Sequence, residues 1–211
     1  MALSKVDFNN INVTPAASKA LKWNASANGF ETGDLGGNMV LLSTQTASSS
    51  ANLTFASGIN STYKEYIFSF HDIHPGTNNV IFTVNFRDGS TAYDATKTTT
   101  WFNSYHTEGG GSGLGYANGG DLAQATSGQY LGWSMSDDND QSASGYLHLF
   151  DPSNTTFVKH FIARVNNYYD NGSADAYVAG YCNTTTAIDG VQFAMSSGNI
   201  DAGTIKMYGI K

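Results

Sequence analysis

Alternation with a period of two residues runs along most of this chain. Val80, Phe82, Val84 and Phe86 make one line, and Ile81, Thr83 and Asn85 make the other. Successive side chains of an extended strand point to opposite faces, so one such line is the buried face of a sheet. Leu147 and Leu149 alternate in the same way with Tyr146, His148 and Phe150. A turn signal, Asp151-Pro152-Ser153-Asn154, separates them from a second run over 157–165, which predicts a hairpin. Further strands are predicted over 39–44, 53–55, 66–70, 98–106 and 177–181, where β-branched and aromatic residues concentrate. Near the end, Val191, Phe193 and Met195 precede turn residues at 196–199 and 201–203, and Ile205 and Met207 resume the alternation. That pattern predicts a closing β-hairpin.

The count reaches roughly nine or ten strands, with turn signals every 8–12 residues. The expected fold is all-β, an antiparallel jelly-roll-like β-sandwich with a short N-terminal arm. A closed barrel has the same strand spacing and is the rival. Residues 1–38 form the arm and 39–211 the sandwich. The arm is too short to build a core of its own. Phe8, Trp23 and Phe30 would be out of place in a solvated tail, so they are the candidates for anchoring and oligomerisation. Two stretches carry other expectations. Residues 107–120, TEGGGSGLGYANGG, are expected to be a loop, and 121–124 the single helical turn.

Composition supports strands and turns over helices. Charged residues are 13% of the chain against a usual share of about 25%, and Gly numbers 23. The net charge of −7 comes without any Lys/Arg cluster. Nucleic acid and anionic lipid both demand a basic stripe, so neither is expected as a partner. No run nears the ~20 apolar residues of a membrane span, so no membrane insertion is expected. The first ten residues lack an apolar leader, so secretion is not expected either.

Candidate chemistry is sparse. The glycine-rich stretch lacks the Gly-Lys-Ser/Thr of a phosphate loop. Asp137, Asp138 and Asp140 form the densest acidic spot, but a calcium loop begun at Asp137 would have Ser142 at its sixth position and His148 at its twelfth. A solvated turn fits better. Cys182, the one cysteine, reads as a small core residue. His71 and His74 flank a strand end, and His148 and His160 lie on the two strands of one hairpin, where they would face each other. No nucleophile elbow and no facing carboxylate pair is present. No catalytic residue, metal or cofactor is therefore assigned. Tyr105, Tyr116, Trp133, Tyr168 and Tyr169 sit among Asn, Ser and Gly, where aromatic rings beside polar loops suit amphipathic targets. They are the ligand-contact candidates.

Several motifs carry a resemblance. They are residues 21–24 (LKWN), 28–31 (NGFE), 73–75 (IHP), the run from 105 to 124, residues 144–150 with 157–162, and the closing 196–210. Together they resemble virion structural proteins of tailed bacteriophages, marine ones especially, in which related segments often form the C-terminal domain of tail-fibre-like proteins. The resemblance implies a non-enzymatic virion protein, made in the host cytoplasm and placed on the particle. It implies a homotrimer, contacts with other virion proteins through the arm, and attachment to a host glycan or envelope receptor. A capsid decoration, cement or head-fibre protein without a receptor is the alternative, and a polysaccharide depolymerase a further one. No shaft repeats or coiled-coil heptads are present.

Overall fold

The computed structural model describes residues 19–26, 28–34, 38–169 and 171–211. The chain divides into two compact units, Met1–Asn38 and Met39–Lys211. In the first, β1 (Lys19–Trp23) and β2 (Phe30–Asp34) form an antiparallel hairpin that pairs Trp23 with Phe30. Asn24 closes its turn: the Asn24 N–H donates to the Gly29 carbonyl at 3.0 Å, and its side chain bonds Asn28. The Trp23 and Phe30 rings stack at 4.5 Å and remain exposed. Phe8 lies outside the described residues.

The second unit holds twelve strands among the described residues. They are β3 (Met39–Thr46), β4 (Leu53–Phe55), β5 (Glu65–Pro75), β6 (Phe82–Arg87), β7 (Lys97–Thr107), β8 (Ser112–Tyr116), β9 (Gln129–Tyr130), β10 (Ala143–Phe150), β11 (Lys159–Tyr168), β12 (Gly172–Cys182), β13 (Gly190–Met195) and β14 (Ile200–Ile210). An eight-stranded sheet runs β3-β14-β5-β10-β11-β12-β7-β8, and a four-stranded sheet runs β4-β13-β6-β9. Every pairing is antiparallel. The two sheets stack as a β-sandwich, each with two open edges rather than the continuous hydrogen bonding of a barrel.

Alternation explains the burial. Phe82, Val84 and Phe86 of β6 are buried, as are Leu147 and Leu149 of β10 and Phe161, Ala163 and Val165 of β11. The inner faces meet through aromatic rings. Phe193 of β13 lies 5.5 Å from Phe68 and 5.1 Å from Phe70 on the opposite sheet, and 5.7 Å from Phe82 within its own. Phe86 meets Phe161 across the interior at 4.9 Å. The β10–β11 hairpin forms as its turn signal predicts.

The closing hairpin does not form. β13 pairs with β4 and β6 in the small sheet, whereas β14 pairs with β3 and β5 in the large one. The turn at 196–199 therefore carries the chain from one sheet to the other. β4 likewise pairs with β13 and not with its sequence neighbour β3. The physical reason is burial: Phe193 and Ile205 must cover the same interior from opposite sides.

Two local expectations also change. Within 107–120, residues 112–116 form β8 on the edge of the large sheet. Glycine concealed the strand: Gly113 opposes Tyr105, and a Cβ there would meet the ring of Tyr105 at 2.7 Å. Residues 121–124 are not helical. Gln124 has φ of 51°, outside the helical range, and the Leu122 N–H donates to Thr99 Oγ1 at 2.8 Å.

Truncating the central ring should open a cavity facing both sheets. Phe193→Ala is expected to lower unfolding free energy by about 3–5 kcal/mol in urea titration, with the native fold retained. Gly203 has φ of 118° in the β14 bulge, where a Cβ would lie 2.6 Å from the Asp72 carbonyl oxygen. Gly203→Ala should cost more than about 1 kcal/mol in the same assay.

Candidate functional site

One end of the sandwich gathers three of the five aromatic candidates. Trp133 is half-buried, stacked on Trp101 at 5.3 Å and met edge-on by Tyr169 at 5.6 Å. The Trp133 backbone N–H donates to Asn167 Oδ1 at 2.9 Å, which fixes the loop to β11. Tyr168 closes β11, and its hydroxyl donates to Asn171 Oδ1 at 3.1 Å. The Tyr169 N–H donates to the Gly172 carbonyl at 2.8 Å, making the tight β11–β12 connection.

Two polar clefts open at this end. One, of about 420 Å³, is lined by Tyr168, Asn166, Ser173, Glu108, Asp140 and His106 among others. The other, of about 490 Å³, is lined by Tyr169, Asn79, Asn171, Asp138, Gln141 and Ser136 among others. Consecutive tyrosines thus serve neighbouring clefts. The acidic turn contributes to both, with Asp138 held by Ser136 Oγ at 3.3 Å and Gln141 Nε2 at 3.2 Å. Among the described residues no group of three or more His, Cys, Asp or Glu stands where it could hold a metal ion.

Tyr105 and Tyr116 lie elsewhere, on the β7–β8 hairpin. They occupy opposite faces, since Tyr105 pairs with Gly113 and Tyr116 with Phe102. The Tyr116 hydroxyl donates to Asp121 Oδ2 at 2.5 Å, and that bond holds its phenol above the usual pKa range. Neither residue lines the two clefts.

Sequence reasoning missed a larger feature. The outward face of the eight-stranded sheet is aromatic too. Tyr146, Arg164, Tyr177, Phe102 and Tyr116 stand in register across β10, β11, β12, β7 and β8. Phe102 and Tyr177 stack at 5.0 Å with an interplanar angle of 3°. Arg164 lies 4.8 Å from the centre of the Tyr177 ring and binds Asp175 at 2.6 Å. The available signal was the second line of β10, Tyr146-His148-Phe150, where an alternating strand with one solvated face would carry polar residues.

The histidines act locally. Ile162 stands opposite His148, and Tyr181 opposite His160, so the two histidines do not face each other as the hairpin suggested. His148 Nδ1 bonds Glu65 Oε1. His74 Nδ1 meets the Gln141 carbonyl at 2.6 Å, and His71 Nε2 meets Ser69 Oγ at 3.1 Å.

At a deeper level, Lys159, Cys182 and Lys97 stand in register on the inner face of β11, β12 and β7, all fully buried. Burial pushes the Cys182 thiol up to about 12, so it carries almost no thiolate near neutral pH. Lys97 Nζ donates to Asn85 Oδ1 at 2.9 Å and to the Ala95 carbonyl at 2.8 Å. Burial nonetheless pushes the amine down to about 8. Lys159 Nζ donates to the carbonyls of Phe157 and Thr184, both at 3.0 Å, and burial lowers its pKa as well.

No protein-family model, curated protein or solved structure matches the chain.

The depressed Lys97 pKa fixes a sign. Between about pH 8 and the ordinary lysine range the unfolded chain binds more protons than the folded one, so stability rises with pH there. Below pH 8 the whole penalty is present. The stability difference between wild type and Lys97→Met should shift in favour of wild type by up to about 3 kcal/mol from pH 7 to 10.5, read from urea unfolding.

Proposed function

We propose that this protein is a non-enzymatic virion structural protein of tailed-bacteriophage type, a tail-fibre-like surface protein that attaches to host glycan. The sandwich supplies the attachment surface, and the arm joins other virion proteins in a trimeric assembly. One observation carries the attachment reading: Tyr168 and Tyr169 line adjoining polar clefts whose walls are amide, hydroxyl and carboxylate side chains. A pyranose has an apolar C–H face and a rim of hydroxyls. A tyrosine ring takes the first, and Asn, Asp and Ser side chains take the second. Volumes of this size suit one or two sugar units and fall within the usual ~300–1,000 Å³ of small-ligand sites. The resemblance carried by the closing residues 196–210 points to the same class of protein.

The arm favours a second reading, a capsid decoration or cement protein. Trp23 is 62% exposed and Phe30 42%, although they stack on each other. A stacked pair left open to water suits docking onto a neighbour.

The readings separate by experiment. Under the attachment reading, the purified protein binds bacterial surface saccharides on an array and blocks phage adsorption. Tyr168→Ala and Tyr169→Ala should each weaken that binding roughly tenfold or more with unchanged melting. Absence of binding to any cell or saccharide, with adsorption unaffected, would remove the attachment reading. Deleting 1–38 should abolish incorporation into the particle while the remaining body still melts cooperatively.

A further inference from the structure

We infer that the outward face of the eight-stranded sheet is an interface between copies of this chain. The inference goes beyond the attachment reading and does not depend on the end clefts.

Two central rows of the face are rich in apolar and aromatic groups where solvent should favour polar ones. Leu41, Tyr208, Ile67, His148, Ile162, Ala179 and Thr100 form one in-register row crossing seven strands. Beside it runs the row of Tyr146, Arg164, Tyr177, Phe102 and Tyr116. Ile162 is 50% exposed and Leu114, on the edge strand, 75%. Contiguous apolar patches this broad mark contact sites on soluble proteins.

A second copy fits the face better than other occupants, on three grounds. The first is charge. Across the in-register rows, Lys206 and Arg164 balance Glu65 and Asp175, whereas the chain carries −7. Two acidic molecules can meet at this neutral face without juxtaposing an excess of like charge at the contact, while nucleic acid or anionic lipid finds no excess of positive charge. The second is polar satisfaction. Arg164 is held by Asp175 and the Tyr177 ring, and Glu65 by His148. Ionic groups already paired cost less to enclose in a protein contact than unpaired ones, whereas a saccharide needs directional donors that are still open. Lys206 lies towards the β3 edge, where its ammonium can reach the rim. The third is size. Strands about 4.8 Å apart make the eight-stranded face about 34 Å wide, and outward residues about 6.8 Å apart make it more than 20 Å deep. A face of that extent spans about 680 Å² in projection, close to the roughly 800 Å² per partner of a standard interface.

The surface also holds a knob and a hole. A shallow trough of about 440 Å³ is lined by Ile162, Ala179, Thr100, His160 and Tyr181 among others. Beside it, next to His160, Phe157 is 68% exposed. Phe157 of one copy is a ring of suitable character for the trough of the next.

Light scattering and sedimentation of the full chain test this, from low micromolar to about 100 μM. Wild type should show a mass that is a multiple of the chain mass. Ile162→Asp should weaken association at least about 30-fold, and Phe102→Ser should weaken it in the same direction. Both changes are on exposed side chains, and an unchanged cooperative melt verifies folding. Should Ile162→Asp fail to fold, Phe102→Ser gives the same reading. Tyr169→Ala should leave the mass unaltered, so loss of glycan binding and loss of assembly are separable. A monomeric wild type at about 100 μM would overturn the inference, as would folded variants that keep the wild-type mass. A monomer whose saccharide binding is lost in Ile162→Asp would reassign the face to glycan.

Discussion

Phe193 is the ring on which the sandwich closes. It projects from β13, one of the two central strands of the small sheet, and touches Phe68 and Phe70 of the large sheet, with Phe55 and Phe82 beside it. Two sheets of unequal width hold together only where inner faces interlock, and this cluster is where they do. The strand order follows from it. β13 must lie opposite β5 to place the ring, and β14 must then return to the large sheet beside β5 to cover its other edge.

Bulges adjust that arrangement at the margin. Opposite Asp72 and Gly203, β5 and β14 slip register, and both residues adopt positive φ. Extra residues there bend the strands and let Ile73 and Ile200 remain buried beyond the bulge. Away from the aromatic cluster the interior becomes more polar. Lys97 and Lys159 are buried with their ammonium groups on backbone carbonyls and Asn85. Such groups are expensive to enclose and stay tolerable because hydrogen bonds satisfy them. A lysine there also fixes the alignment of β7, since a shift of one residue would turn it outwards.

Rigid interior and open exterior divide the tasks. The clamp leaves hairpin ends free to carry varied side chains, and Tyr168 and Tyr169 stand at such an end, on the β11–β12 turn. The broad outer face is different: it is strand-borne and held by cross-strand pairs such as Phe102 with Tyr177. A surface built on a ladder keeps its shape on contact, which suits packing between identical molecules.

Local alternation determined most of the strands and the faces they bury. Val80 to Phe86, Leu147 with Leu149, and the β10–β11 hairpin are all readable from side-chain period and turn residues, because both signals lie within a few positions. Of the candidate site, Trp133, Tyr168 and Tyr169 were visible as aromatic residues in polar loops, but their convergence was not. Tyr105 and Tyr116 looked equivalent to them and fall on opposite faces of another hairpin. Tertiary structure alone decided which strands share a sheet. Met195 and Ile200 are separated by four residues in either a hairpin or a crossover, and the same turn residues serve both. The choice rests on partners more than a hundred positions away, Ile67 for Tyr208 and Val84 for Phe193, and on the single interior that both strands must seal.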